Sequence, residues 1–241
     1  SLKVPEFSIV ILCYQTGGYI RTFVREVIES VSGLKVDFEL ILVANYWENS
    51  GDDTPWIAHE LESINPYIKV VAFSKKGMMG WDMMSGLKAA RGRVIAVIDG
   101  DGQMPPEDLA RVYKKLREEN LDFVKTYRIK REDNFWRVAI SIAYNSIFHL
   151  LFPGLPVHDV NSKPKIFTRE AYERINLTSL DWFIDAEIMI QVRRLHLKIG
   201  EIPTIFKKIA TRPSYVKPEA IWEFVRNLVR ARIKEFKEKR E

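Results

Sequence analysis

The sequence predicts an α/β protein with a mostly parallel sheet and helices on both faces, and three observations support this. Short apolar, often β-branched runs alternate with longer segments of helical spacing through the first half of the chain. Such alternation is typical of a parallel sheet built from βαβ units. With 241 residues, of which 46% are hydrophobic, the chain is long enough to bury a core of this size.

The first half of the chain supplies five predicted strands and four predicted helices in strict alternation. The strand segments are apolar runs of the kind that a parallel sheet buries on both faces. The helix segments carry apolar residues three and four positions apart, and Pro105 suits the first turn of the last one. In order, we predict strand 7–14, helix 19–31, strand 38–44, helix 56–64, strand 68–73, helix 81–90, strand 94–98, helix 105–120 and strand 123–127.

The regular alternation stops after residue 128. The segment 136–152 is rich in large apolar residues and predicts a helix shorter than the roughly 20 residues that span a bilayer. It is either a core helix or one that lies on a membrane surface or another apolar partner. The remaining predicted elements are strand 165–167, helix 169–174, helix 185–195, strand 199–206 and a helix from 218 onward.

The last predicted helix has an apolar stripe and a basic opposite face, so it either packs on the domain or docks on a membrane surface. We therefore divide the chain into a catalytic domain, 1–210, and a basic amphipathic C-terminal helix, 211–241.

The charge balance limits the choice of partners. The net charge is +5 and no nucleic-acid-binding motif is recognisable, so we expect anionic small molecules or a lipid surface and no nucleic acid. Cys13 is the single cysteine, which excludes a disulfide framework and a thiolate metal site. Without an apolar leader, the expected location is the cytoplasm, peripheral on the cytoplasmic face of a membrane.

One stretch carries the strongest indication of chemistry. The strand 94–98 runs into Asp99, Gly100 and Asp101, and Gln103 follows. Carboxylates two residues apart on an extended segment point the same way, and open α/β sheets bind ligands beyond the carboxyl ends of their strands. Two hard oxygen donors suit Mg²⁺ or Mn²⁺ carrying a substrate diphosphate. We therefore predict metal ligation by Asp99, Asp101 and Gln103; the alternative is a turn with solvated aspartates.

Further motifs occur in a fixed order along the chain. They are the segment 11–20 with Tyr14, the glycine-bearing blocks 76–80 and 86–92, the stretch 99–107, and the segments 159–167, 183–187 and 200–203. Together they resemble the family 2 glycosyltransferases, and within that family the dolichyl- or polyprenyl-phosphate mannose or glucose synthases. The resemblance implies the nucleotide-diphospho-sugar (GT-A) fold with a Rossmann-like sheet, and sugar transfer with inversion. One departure is that Ala44 and Asn45 replace the family's usual acidic pair.

The resemblance also implies roles for individual residues. A UDP- or GDP-sugar would be held at the strand ends and in the glycine loop, by Leu12, Tyr14, Asn45, Lys76, Gly77, Asp99, Gly100 and Asp101. A polyprenyl phosphate acceptor is already ionised and needs positioning rather than a strong base. Arg128, Arg137 and Lys163 are candidates to hold its phosphate, unless they are ordinary surface cations. A hydroxyl acceptor would need a carboxylate base, for which Asp185 and Asp159 are the candidates.

Two other interpretations stay open. A strand that ends in Asp-x-Asp-Gly also resembles haloacid dehalogenase-type phosphohydrolases, in which Asp99 would be the nucleophile and Asp101 the acid/base. In that family the motif follows the first strand and carries Thr where Gln103 stands. The second alternative is a catalytically inactive transferase-like domain that serves as a scaffold.

Overall fold

The computed structural model describes residues 3–129, 135–208 and 218–239, and this part of the chain holds seven strands and eight helices. Every predicted helix and strand is present, with ends displaced by up to two residues. The predicted helix 105–120, for example, begins at Glu107 because Pro106 is its N-cap. In chain order, the elements are β1 (Phe7–Leu12), α1 (Tyr19–Ser32), β2 (Phe38–Val43), α2 (Thr54–Ile64), β3 (Ile68–Val71), α3 (Met79–Ala89), β4 (Val94–Asp99), α4 (Glu107–Glu118), β5 (Phe123–Arg128), α5 (Phe135–Leu151), β6 (Lys165–Thr168), α6 (Arg169–Arg174), α7 (Ile184–Arg194), β7 (Ile199–Thr204) and α8 (Pro218–Glu238).

The seven strands form one sheet in the order β3-β2-β1-β4-β6-β5-β7. Neighbouring strands pair in parallel except at β6, which is antiparallel to both β4 and β5. The predicted mostly parallel sheet is therefore confirmed. Strand β6 follows β5 in the sequence but lies between β4 and β5 in the sheet. The order of elements along the chain alone does not reveal this position.

Helices cover both faces of the sheet, and alternate residues of the central strands pack against one layer or the other. Ile9 and Ile11 of β1 belong to the core under α1, α2 and α4. Val10 and Leu12 belong to the core that α3, α5, α6 and α7 cover, and Leu228 of α8 is buried in the same core. Two fully buried layers hold the sheet rigidly, so the loops at its carboxyl edge start from fixed positions.

The two long helices of the second half lie against each other, with the rings of Tyr144 on α5 and Phe224 on α8 stacked 3.6 Å apart. Within the described ranges, no helix has both the length and the apolar content needed to cross a membrane. The predicted boundary between residues 210 and 211 lies outside the described residues, and the division into two units stays a prediction.

Candidate active site

The carboxyl ends of β1 and β4 bring the central motif into place. The parallel register pairs Leu12 with Asp99, so the chain leaves the sheet at the same level on both strands. The amide of Gly100 then donates a 2.9 Å hydrogen bond to the Leu12 carbonyl oxygen. A Cβ atom at position 100 would lie 2.9 Å from Ile11 and 3.0 Å from that carbonyl oxygen, which is closer than ordinary van der Waals contact. Leu12 is itself buried, so its backbone fixes the turn that presents the two carboxylates.

The loop that follows β4 is a tight turn around Asp101. Its Oδ1 atom accepts a 3.0 Å hydrogen bond from the backbone amide of Gln103. Gly102 has φ +85°, a conformation that favours glycine, and the Tyr19 ring of α1 lies against it. The amide of Lys207 donates a 2.8 Å hydrogen bond to the Gln103 carbonyl oxygen, which ties the segment after β7 to this loop. Asp99, Asp101 and Gln103 are all partly exposed here.

The antiparallel strand β6 places Lys163 beside Asp99. The register pairs Val97 with Lys165, so two residues further along, position 163 lies across from position 99. The Lys163 Nζ atom lies 3.6 Å from Asp99 Oδ1 and 3.1 Å from Asp185 Oδ2, and its side chain is only 3% exposed. The interpretation of Lys163 as a surface cation is therefore wrong: this lysine is an internal cation next to the predicted metal ligands.

Asp185, in the first turn of α7, lies between two buried lysines. Besides its contact with Lys163, its Oδ1 atom accepts a 2.5 Å hydrogen bond from Lys165 Nζ. Burial alone would raise the pKa of Asp185, but the two ammonium groups outweigh it and hold that pKa below its usual value. Burial raises the pKa of Asp99, against the opposing effect of Lys163. The carboxylate of Asp185 is thus a weak base in this structure.

The other candidate base, Asp159, is also paired with a cation. Its Oδ2 atom accepts a 2.8 Å hydrogen bond from Arg128 Nε, at the end of β5. The Arg128 guanidinium lies 5.1 Å from the centre of the Phe206 ring. Arg137, the third predicted phosphate-binding cation, is half-buried in the first turns of α5. The structure therefore joins Arg128 to Asp159, and it joins Lys163 to Asp99 and Asp185.

Asn45, predicted to contact the donor, is buried with its amide used inside the protein. Its Nδ2 atom donates to Asp82 Oδ1 at 2.9 Å, and its Oδ1 atom accepts from the amide of Phe73 at 2.8 Å. Asp82 also forms an ion pair with Lys75, whose Nζ atom lies 4.4 Å from the centre of the Tyr14 ring. The ion pair of Lys75 and Asp82 therefore lies between Tyr14 and Asn45. The Asn45 side chain holds neighbouring segments together instead of pointing outward to a ligand.

The glycine loop before α3 is held by backbone contacts to the segment before α7. The amide of Met78 donates a 2.8 Å hydrogen bond to the Leu180 carbonyl oxygen. A Cβ atom at Gly77 would lie 2.9 Å from that same oxygen, so glycine is needed for this approach. Lys76 is exposed on the loop. The motif 76–80 therefore packs against the residues just before the motif 183–187.

The carboxylates of Asp99 and Asp101 suit a divalent ion that takes its remaining ligands from a substrate. Among residues 3–129, 135–208 and 218–239, no three His, Cys, Asp or Glu side chains converge into a group able to hold a metal. Mg²⁺ and similar ions are held at substrate phosphates by one or two protein carboxylates. Two adjacent carboxylates with an amide oxygen at Gln103 meet that requirement, whereas a closed, all-protein metal site is not present in the described part.

Sequence reasoning missed the buried lysines. Lys165 and Lys125 are fully buried and occupy paired positions of β6 and β5. The signal was present: Lys163 and Lys165 are two residues apart on an extended segment, so both side chains point to one side. Their shared partner is Asp185, which the sequence indicates only as a candidate base.

Comparison with known proteins now identifies the class. The sequence model described as "Glycosyl transferase family 2" matches residues 8–176, which is more than half of the chain. The chain belongs to glycosyl transferase family 2, as its motifs predicted.

Individual relatives agree with this assignment. A dolichol-phosphate mannosyltransferase of Pyrococcus furiosus is 25% identical over 230 residues, covering 93% of this chain and 63% of that protein. An undecaprenyl-phosphate 4-deoxy-4-formamido-L-arabinose transferase of Proteus mirabilis is 29% identical over 147 residues, covering 60% of this chain and 44% of that protein. The chain thus spans less than two thirds of the length of these curated relatives.

Solved structures show the same fold. The mannosyl-3-phosphoglycerate synthase of Rubrobacter xylanophilus superposes with a TM-score of 0.72 at 18% identity, covering 98% of this chain and 75% of that one. A glucosyl-3-phosphoglycerate synthase of Mycobacterium tuberculosis, crystallised with Mn²⁺, UDP and glucosyl-3-phosphoglycerate, superposes with a TM-score of 0.69 at 20% identity, covering 95% of this chain and 80% of that one. The chain has the GT-A fold.

Proposed function

We propose that this chain transfers a sugar from a UDP- or GDP-sugar to a polyprenyl phosphate, with Mg²⁺ or Mn²⁺ at Asp99 and Asp101. The observation that carries the proposal is the carboxylate pair at the carboxyl edge of β4, beside the end of β1. This edge is where open α/β sheets bind ligands. The polyprenyl-phosphate substrates in the names of the two curated relatives, and the Mn²⁺ and UDP in a structural neighbour, support the same assignment.

In the proposed reaction, an ionised phosphate oxygen of the acceptor attacks the anomeric carbon of the sugar. The bond from that carbon to the nucleoside diphosphate breaks, and the configuration inverts. A divalent ion held by Asp101, with Asp99 and Gln103 nearby, would stabilise the charge that grows on the leaving diphosphate. Tyr14, Lys76 and Gly77 are the proposed further donor contacts on the same edge.

The ion pairs favour an acceptor that needs no general base. Both candidate bases are held by cations, Asp185 by Lys163 and Lys165 and Asp159 by Arg128. The carboxylate of Asp185, stabilised by two ammonium groups, takes up a proton poorly. A polyprenyl phosphate brings its own ionised oxygen, so the structure supports it over a hydroxyl acceptor. Arg128 and Arg137 are the proposed cations for the acceptor phosphate.

A lipid acceptor is reached at a membrane surface, and α5 and α8 form a suitable face. Large apolar side chains of both helices are exposed, including Trp136 and Leu150 on α5 and Trp222 and Phe236 on α8. Exposed basic residues of α8 accompany them, namely Arg226, Arg230, Lys234 and Lys237. Apolar and basic side chains together are typical of helices that lie in the bilayer interface. We propose that this face docks on the cytoplasmic side of the membrane.

Thermal unfolding with UDP or GDP, each with and without Mn²⁺, tests the donor site. A ligand that binds only the folded state at a hundredfold excess over Kd adds about 2.7 kcal/mol to the free energy of unfolding. We expect one nucleotide to raise the unfolding temperature of the wild type, and to raise it much more with Mn²⁺ than without it. Asp101→Ala should abolish the Mn²⁺-dependent part of that shift, whereas Glu118→Ala, which removes an exposed carboxylate at the far end of α4, should retain it.

Failure of this test would favour one of the alternatives. If neither nucleotide shifts the wild type, hydrolysis of p-nitrophenyl phosphate that Asp99→Asn abolishes would indicate a phosphohydrolase. Against that alternative, the Asp99 strand is the fourth strand of the chain and the family match covers it. Absence of both binding and hydrolysis would indicate a scaffold domain.

A further inference from the structure

The ammonium group of Lys163 lies in contact distance of a predicted metal ligand. Its Nζ atom is 3.6 Å from Asp99 Oδ1, 3.1 Å from Asp185 Oδ2 and 3.6 Å from the Met79 sulfur atom. Only 3% of the Lys163 side chain is exposed, and carboxylates lie on two sides of its ammonium group. Its positive charge is therefore a permanent part of the site.

The position of Lys163 is fixed independently of any ligand. Strand β6 is antiparallel to β4, and its register carries position 163 to the level of Asp99. Asp185 anchors the ammonium from the other side and is itself held by Lys165. The four charges of Asp99, Asp185, Lys163 and Lys165 sum to zero, so Asp99 is already neutralised from inside the protein. Asp101 lies outside this group and is half-exposed.

A divalent ion at Asp99 would be within a few ångströms of this ammonium. Two like charges at such a distance in a partly buried site repel each other strongly. A donor diphosphate would instead be attracted by the same ammonium group. The Lys163 ammonium group therefore weakens the binding of the divalent ion and strengthens the binding of the donor diphosphate.

We propose that Lys163 is a positioning residue that opposes divalent-metal binding in the absence of donor, so that the metal enters mainly together with the nucleotide diphosphate and through Asp101. Lys163 also supplies part of the positive charge that the diphosphate requires. This inference rests on the proposed function, because it concerns the same donor site.

The test measures Mn²⁺ binding directly, by the electron paramagnetic resonance signal of free Mn²⁺ in a titration without nucleotide. Removing the repulsion in Lys163→Met should lower the Kd for Mn²⁺ by about tenfold. Lys125→Met removes another fully buried lysine, whose ammonium donates to the Thr126 carbonyl oxygen and pairs with Glu201, and it should stay within about twofold of the wild type. A merely structural role cannot produce the tighter binding expected for Lys163→Met, because damage to the fold weakens a site.

A second titration follows the nucleotide selected by the thermal test, in EDTA, by calorimetry. Lys163→Met should bind it about tenfold more weakly than the wild type, and Lys163→Arg should restore most of that loss. Equal Mn²⁺ affinity in wild type and Lys163→Met would overturn the inference, and a metal-dependent nucleotide shift lost in Asp101→Ala would then leave the donor site intact. If wild type and Lys163→Met both bind no Mn²⁺, with or without nucleotide, the inference and the metal-dependent function fail together.

Discussion

The carboxylate of Asp185 is 2.5 Å from the Nζ atom of Lys165, and both groups are buried beneath the predicted metal site. Lys163 contacts the second oxygen of the same carboxylate. A carboxylate that neutralises two buried lysines is part of the fold as well as of the site. Replacement of Asp185 should therefore affect both the stability of the fold and the chemistry of the site.

Asp185→Asn should destabilise the protein strongly. The amide cannot neutralise Lys163 and Lys165, and breaking a buried ion pair by removing one partner costs about 3 kcal/mol or more. Urea denaturation, followed by circular dichroism, measures the loss. The double variant Asp185→Asn/Lys165→Met removes charge from both sides and should lose less than the sum of Asp185→Asn and Lys165→Met measured singly. Strict additivity of the single changes would contradict the ion-pair account.

Gly102→Ala should disturb the loop that carries Asp101. The backbone φ of +85° is costly for alanine, and the added Cβ atom would overlap the Tyr19 ring. Together we expect a loss of about 1–2 kcal/mol of unfolding free energy and weaker Mn²⁺-dependent nucleotide binding. Gly33→Ala, at the end of α1, is the matched control because its φ is −64° and a Cβ atom there meets nothing within 4 Å.

A partial rescue separates the two causes at Gly102. Tyr19→Ala removes the ring and should relieve the overlap in the double variant, while the backbone strain remains. If Gly102→Ala unfolds at the same urea concentration as wild type and binds nucleotide equally well, the loop is not constrained as the structure shows.

Lys125 should make the stability depend on pH. Burial lowers its pKa from 10.5 to about 8, despite Glu201 at 3.7 Å. The unfolded chain therefore binds more protons than the folded protein between about pH 8 and pH 10.5. Keeping the buried Lys125 side chain protonated therefore lowers the free energy of unfolding. This cost is fully present below pH 8 and disappears as the pH rises from about 8 to 10.5.

The measurement compares wild type with Lys125→Met by urea denaturation at pH 7.5 and pH 10. The free energy of unfolding of the wild type, relative to this variant, should rise by about 2 kcal/mol between the two conditions. Lys114→Met, at an exposed position of α4, should give no comparable change. A difference that stays constant with pH would show that Lys125 keeps its proton at both pH values.

The central chemistry was predictable from sequence because it depends on local patterns. A buried strand followed by Asp99, Gly100 and Asp101 specifies its own geometry, since alternation along a strand and glycine turns are short-range properties. The alternating elements likewise specified the sheet, and the family match agrees.

The remaining features depend on contacts between distant segments. Lys163 is beside Asp99 only because β6 runs antiparallel, and β6 is separated from β4 by two helices and a strand. In the same way, Asn45 was predicted to face the donor, and it turns inward because Asp82 on α3 accepts from its amide. The sequence alone does not show whether a polar residue at the end of a strand binds a ligand or another part of the protein.

Trp222 provides the last prediction, which tests the proposed lipid-docking face. Its side chain is 71% exposed on α8, which also presents Val229, Ile233 and Phe236 to solvent. Burying one such side chain in a membrane interface is worth about 1.5–3 kcal/mol, so Trp222→Ser should weaken binding to vesicles that contain anionic lipid by about tenfold.

Trp56→Ser is the control, because Trp56 is 82% exposed on α2, and α2 packs on the opposite face of the sheet. Flotation should show tight binding of wild type and Trp56→Ser, reduced by salt because the basic residues of α8 contribute, and weak binding of Trp222→Ser. A wild type that remains in solution with anionic and neutral vesicles alike would exclude docking through this face.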